Sequence, residues 1–125
     1  MLTLGLDFHG VIDTYPKKFG ELSRVLMMTG NSVYIITGAK NTPELRVSLD
    51  EFGVVYTDIL SIVDFHLNKG TTITYDSEGN PWLDESVWDR TKADLCKQYK
   101  VDLLIDNSTV YGKYFTENTK YLLFQ

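Results

Sequence analysis

Residues 2–10 read LTLGLDFHG, and the position of the acid in this run decides how the rest of the chain is read. The stretch from Leu2 to Phe8 is short and apolar, carries no charge before Asp7, and is followed by Gly10. That is the length and content of one buried strand running into a loop. The pattern returns in Ser32–Thr37, SVYIIT, which is β-branched and aromatic and is followed at once by Gly38. It returns again in Val101–Ile105, VDLLI, which runs into Asp106 and Asn107.

Between these strands the apolar residues fall at helical spacing. Phe19, Leu22, Val25 and Leu26 predict the buried face of a helix over Lys18–Met28 that stops at Gly30. Thr42 predicts the cap of a second helix with Pro43 in its first turn; Leu45, Val47, Leu49 and Phe52 supply its buried face, and Gly53 ends it. Val54–Tyr56 predicts a third strand. Asp84 caps a helix reaching Tyr99 with Trp88, Leu95 and Tyr99 on one face, and YLLF closes the chain as a last apolar run.

Strands that alternate with helices, each strand nearly all apolar, predict an α/β fold: a Rossmann-like parallel sheet flanked by helices. At 125 residues there is room for one domain over 1–125 and not two. Residues 59–83 are less regular and predict a very small insertion after the third strand. Within it SIVDFHLNKG suits a short helix, and TTITYDSEGNPW suits two strands about a polar turn.

Apolar residues at 43%, with eight Tyr, six Phe and two Trp, supply a core and exclude disorder of the whole chain. The 12 Lys and Arg against 17 Asp and Glu exclude an extended nucleic-acid groove, which needs a basic face. A small phosphorylated ligand is compatible with that balance, because one or two local cations and a divalent metal can hold it. Cys96 stands alone, no basic stretch precedes the first apolar run, and no window approaches the ~18 apolar residues of a membrane span. The expected setting is the cytoplasm, with no membrane partner.

Ligands of open parallel sheets bind beyond the carboxyl ends of the strands, where strand order reverses. The residues placed there are Asp7 with His9 and Gly10, Thr37 with Gly38, and Asp106 with Asn107 and Ser108. Any single acid at a strand end can simply cap the following turn. Two at corresponding ends repel one another and need a cation, and hard oxygen ligands with open water positions suit Mg²⁺. The Thr37 hydroxyl and the Gly38 N–H are the donors a phosphoryl oxygen accepts. Lys92, on the helix before Asp106, lies nearer the carboxyl edge than Lys97 and is the candidate cation. His66 and Cys96 read as packing residues, and neither has the soft neighbours a zinc site needs.

Taken in order, Asp7-Phe8-His9-Gly10-Val11-Ile12, then VYIIT ending in Thr37-Gly38, then Lys92, then LLIDNS with Asp106, resembles the four motifs of the haloacid dehalogenase-like phosphohydrolase superfamily over most of the chain. The resemblance implies a minimal, cap-less member, since few residues separate Gly10 from the first helix and residues 59–83 offer only a very small second insertion. It implies an Mg²⁺-dependent phosphomonoester hydrolase with Asp7 as the nucleophile that forms an aspartyl-phosphate. It further implies Mg²⁺ held by Asp7, the main-chain carbonyl of His9 and Asp106, a phosphoryl group gripped by Thr37 and Gly38, and charge offset by Lys92. The substrate class would be a phosphorylated small molecule or the phosphorylated end of a larger one.

Two positions depart from that pattern. His9 stands where the family's phosphatases usually carry an Asp as general acid and base, and Asn107 where they often carry a second acid. Both changes remove a carboxylate, so weaker Mg²⁺ affinity is expected, although His9 can still donate and accept protons near neutral pH. The same departures define the alternative, a catalytically impaired domain of this fold that binds a phosphorylated ligand or partner. A receiver-type phosphoacceptor domain using Asp58 requires a Lys-Pro after the final strands, and the three prolines here follow Tyr15, Thr42 and Asn80.

Overall fold

The structure is a computed structural model that describes residues 1–116 and 118–125. In chain order its elements are β1 (Thr3–Leu6), α1 (Pro16–Met28), β2 (Ser32–Thr37), α2 (Pro43–Glu51), β3 (Asp58–Ser61), α3 (Ile62–Asn68), β4 (Thr74–Tyr75), β5 (Pro81–Trp82), α4 (Glu85–Gln98), β6 (Leu103–Asp106) and β7 (Lys120–Leu123). Five of the strands form one parallel sheet in the order β3-β2-β1-β6-β7, and β4 and β5 form a separate antiparallel hairpin. The architecture is Rossmann-like: a parallel sheet with helices on both faces. No helix among the described residues is long and apolar enough to cross a membrane.

Alternation along the strands divides the core. Leu4 and Leu6 of β1, Val33 and Ile35 of β2 and Ile59 of β3 bury one face with Phe19 of α1 and Leu45 and Leu49 of α2. Ile36, Leu60 and Leu104 bury the other with Leu95 and Cys96 of α4. Gly5 lies on this second face because a Cβ there would come within 2.7 Å of Ile36 Cδ1 and 3.1 Å of Leu104 Cδ1. The absent side chain lets two neighbours meet over the central strand.

Several elements fall where the sequence places them. β2 spans Ser32–Thr37, and Thr42 caps α2 by accepting the Leu45 N–H at 3.2 Å. The third strand does not. It is Asp58–Ser61, paired with β2 from Tyr34↔Asp58 to Thr37↔Ser61, and not Val54–Tyr56. The reason lies in the hydrogen bonds: the Val54 N–H goes to the Leu49 carbonyl at the end of α2 and the Val55 N–H to Ser23 Oγ of α1, so this segment is tied to helices. The first three residues of the 59–83 span therefore belong to the sheet, and the insertion consists of α3 and the β4–β5 hairpin. The helix faces also differ from expectation. Leu22 and Val25 of α1 and Val47 of α2 are exposed, while α1 buries Phe19, Gly20 and Ser23.

Candidate active site

Strand order reverses between β1 and β6: from β1 the chain moves outward through β2 and β3, then returns to β6 on β1's other side. The register Leu6↔Ile105 places the next residues, Asp7 and Asp106, side by side at the carboxyl edge of that switch point. Their carboxylates need a partner, and it comes from α4. Lys92 Nζ lies 3.0 Å from Asp7 Oδ1 and 2.7 Å from Asp106 Oδ2. One nitrogen touching both oxygens keeps them within about 6 Å of each other. All three residues are buried, with exposures of 6% for Asp7, 2% for Lys92 and 1% for Asp106.

Two carboxylates and one ammonium leave an excess negative charge out of water. Burial pushes the Asp7 carboxyl up to about 6, against the pull of Lys92 and with a further push from Asp106. Burial opposes the Lys92 charge, but the two carboxylates outweigh it and hold the amine above the usual lysine range. These directions agree: the site is short of positive charge.

The remaining oxygens are also bonded. Asp106 Oδ1 accepts the Ser108 N–H at 2.9 Å. The Asn107 amide, oriented to satisfy its neighbours, donates its nitrogen to Asp7 Oδ2 and to the His9 carbonyl oxygen, each at 3.0 Å. Gly10 is required beside it on two grounds: its φ is +86°, and a Cβ would collide with the Asn107 amide. Thr37, buried at the end of β2, accepts the Ala39 N–H at 3.1 Å and still carries a hydroxyl proton that can be donated. Gly38 follows it beneath the Trp88 ring, 3.0 Å from where a Cβ would stand. His9 projects outward, 71% exposed in its side chain, with Nδ1 3.4 Å from Asp13 Oδ2.

Of the strand-end residues singled out from the sequence all but Gly10, together with Lys92, line one cavity of about 410 Å³. A larger cavity of about 750 Å³ lies between α4 and residues 113–116 and 118–119, and none of the strand-end residues line it. Asp58 sits at the opposite edge of the sheet, in register with Tyr34, far from Asp7. Five residues of the wall were not assigned to the site from the sequence: Ala39, Asn80, Pro81, Trp88 and Tyr111. Trp88 reads as a core residue by its helical spacing, and nothing local marks Tyr111.

The two remaining candidates take structural places. His66 is buried, and its Nε2 lies 2.8 Å from Thr91 Oγ1, whose own proton goes to the Val87 carbonyl. His66 must then be the donor, so it bolts α3 to α4 as a neutral ring, and burial and Lys69 both lower its pKa. Cys96 is fully buried, with its thiol pushed up to about 12, which removes it from thiolate chemistry.

Among the described residues no three His, Cys, Asp or Glu side chains form a metal-binding group. The oxygen donors here are two carboxylates and a main-chain carbonyl, and two of the three face one point, now taken by the Asn107 nitrogen. Hard oxygens around a charge deficit fit a small divalent cation. No protein-family model and no curated protein matches the chain, so the reading of this site rests on its own geometry.

Proposed function

We propose that the protein is a phosphomonoester hydrolase of the haloacid dehalogenase-like type, dependent on Mg²⁺ and acting through an aspartyl-phosphate. The observation that carries this reading is the convergence of Asp7, Lys92 and Asp106 at the switch point, beside Thr37 and Gly38.

The residues divide the work as follows. The Thr37 hydroxyl and the Gly38 N–H donate to phosphoryl oxygens, and Lys92 offsets part of the charge that otherwise repels the nucleophile. An Asp7 oxygen attacks phosphorus, the ester P–O bond breaks, and the leaving oxygen takes a proton from the His9 imidazolium, whose ring turns inward from Asp13 to reach it. Water then attacks phosphorus and gives a proton to His9, the bond to Asp7 breaks, and inorganic phosphate departs. Asp7, the His9 carbonyl and Asp106 are the groups that would hold Mg²⁺, which when bound supplies the positive charge the site lacks. The partner is a phosphorylated small molecule, or the phosphorylated end of a larger one small enough at its tip for the cavity.

One observation favours the alternative, an impaired domain that only binds a phosphorylated ligand. Both carboxylates are already fully bonded, with the Asn107 amide on Asp7 where a cation would otherwise sit. A panel of phosphomonoesters, assayed with and without Mg²⁺ beside an Asp7→Asn control, decides between them. Mg²⁺-dependent turnover lost in the variant is the expected result. Phosphate binding without turnover would establish the alternative, and equal rates from both proteins would assign the activity to a contaminant.

A further inference from the structure

The wall of the site opposite the strand ends is aromatic, and both of its rings are fixed. Trp88 Nε1 donates to Tyr111 Oη at 3.2 Å, and the indole lies over Gly38. The Tyr111 ring stands with its centroid 4.9 Å from Lys92 Nζ, in reach of a cation–π contact. Rings held in this way lose little freedom when a ligand packs on them.

Several polar groups of the rim are already engaged. Asn80 Nδ2 donates to Asp76 Oδ2, Ser108 Oγ accepts the Val110 N–H, and the Asn107 amide is committed to Asp7 and the His9 carbonyl. Among the described residues the one lysine or arginine of the lining is Lys92, already shared between two carboxylates. No second ammonium or guanidinium among them lines the cavity to hold a second phosphate. What the rim does offer beyond the phosphoryl-binding residues is the Trp88–Tyr111 wall, with Pro81 of the β4–β5 hairpin beside it.

We infer that the site favours phosphomonoesters whose leaving group carries a flat ring, aromatic or heteroaromatic, that packs on the Trp88–Tyr111 wall. The inference rests on the phosphoryl-transfer reading and narrows its substrate class. Lys92 Nζ is 3.0 Å from the Asp7 carboxylate and 4.9 Å from the Tyr111 centroid, so one ammonium touches both the proposed nucleophile and the aromatic wall. A cavity of about 410 Å³ has room for a phosphoryl group together with a flat ring lying on that wall.

The test uses binding of non-hydrolysable phosphonates, so that the reactivity of aryl leaving groups does not enter. Dissociation constants are measured by calorimetry in Mg²⁺-containing buffer for inorganic phosphate and for methyl-, benzyl- and cyclohexylmethylphosphonate. Benzylphosphonate is expected to bind about tenfold more tightly than methylphosphonate, with the saturated ring clearly weaker than the flat one. Tyr111→Leu and Trp88→Leu should shrink the ratio of benzyl- to methylphosphonate affinity to less than about threefold, while Tyr111→Phe keeps it. Circular dichroism identifies any variant that fails to fold, and the wild-type comparison of flat and saturated rings stands without the variants. If phosphate and methylphosphonate bind but benzylphosphonate gains nothing, or the saturated ring binds equally well, the aromatic selectivity is overturned and the phosphoryl reading survives. If neither phosphate nor any phosphonate binds, both fall together.

Discussion

The Asn107 amide nitrogen stands 3.0 Å from Asp7 Oδ2 and from the His9 carbonyl, on the spot that a cation shared by those oxygens would claim. A neutral donor there satisfies the oxygens but supplies no net charge. Asn107→Asp should therefore raise Mg²⁺ affinity by at least about tenfold, measured by calorimetry, because a new carboxylate replaces a competitor with a ligand. Unchanged affinity would mean that the ion, if bound at all, sits elsewhere. Asp7 gives a second prediction at this scale. Its carboxyl is pushed up to about 6 by burial, and the proposed mechanism requires it ionised, so the rate of phosphomonoester hydrolysis should fall as pH drops through about 6. Raising the Mg²⁺ concentration should move that limb to lower pH, since a nearby cation favours the carboxylate. The placement of Asp7, Thr37 and Asp106 at one site was legible because a polar residue ending an apolar strand stands out in sequence. Tyr111 was not, since an aromatic residue in a loop carries no periodic signal.

Among the elements, α4 bears most on the site, carrying Lys92 and Trp88 on the turns nearest the carboxyl edge. Its attachment to α3 runs through the buried pair His66 and Thr91. Thr91→Val keeps the shape but removes the acceptor for the His66 N–H, and should cost about 1–3 kcal/mol in urea unfolding. A smaller loss would show that another acceptor takes the proton. Element boundaries were legible where the local chemistry is one-sided, as at the Thr42 cap of α2 and in the SVYIIT of β2. The third strand was misread because Val54, Val55 and Tyr56 are more apolar than Asp58–Ser61. The decision was made by long-range partners, Ser23 on one side and β2 on the other, which no local pattern contains. Lys92 was picked by its position on the helix, but its burial was invisible: a lysine among polar helix residues looks solvated until two carboxylates from other elements close around it.

Across the whole molecule, that one ammonium ties β1, β6 and α4 together over sequence separations of 85 and 14 residues. Lys92→Met would leave two carboxylates buried without a counter-charge and should destabilise the fold by about 3–5 kcal/mol at pH 7. The sign of the pH response follows. Both acids in the variant would hold protons more tightly when folded than when unfolded, so its stability should rise relative to wild type as pH falls from 7 toward 5. A deficit that ignored pH would absolve the carboxylates. The alternation of elements made the parallel sheet legible from the outset, and the switch point followed from it; which residues the sheet brings face to face did not. The same topology governs the order of events during synthesis. β1 lies at the centre of the sheet, yet its Thr3 N–H waits for the carboxylate of Asp102, 99 residues downstream. β1 is synthesised well before its strand neighbour β6, so until residues 103–106 arrive Asp7 follows a strand with one open edge. Pairings this distant make folding slow, and the two carboxylates come together around Lys92 only once β6 has docked beside β1.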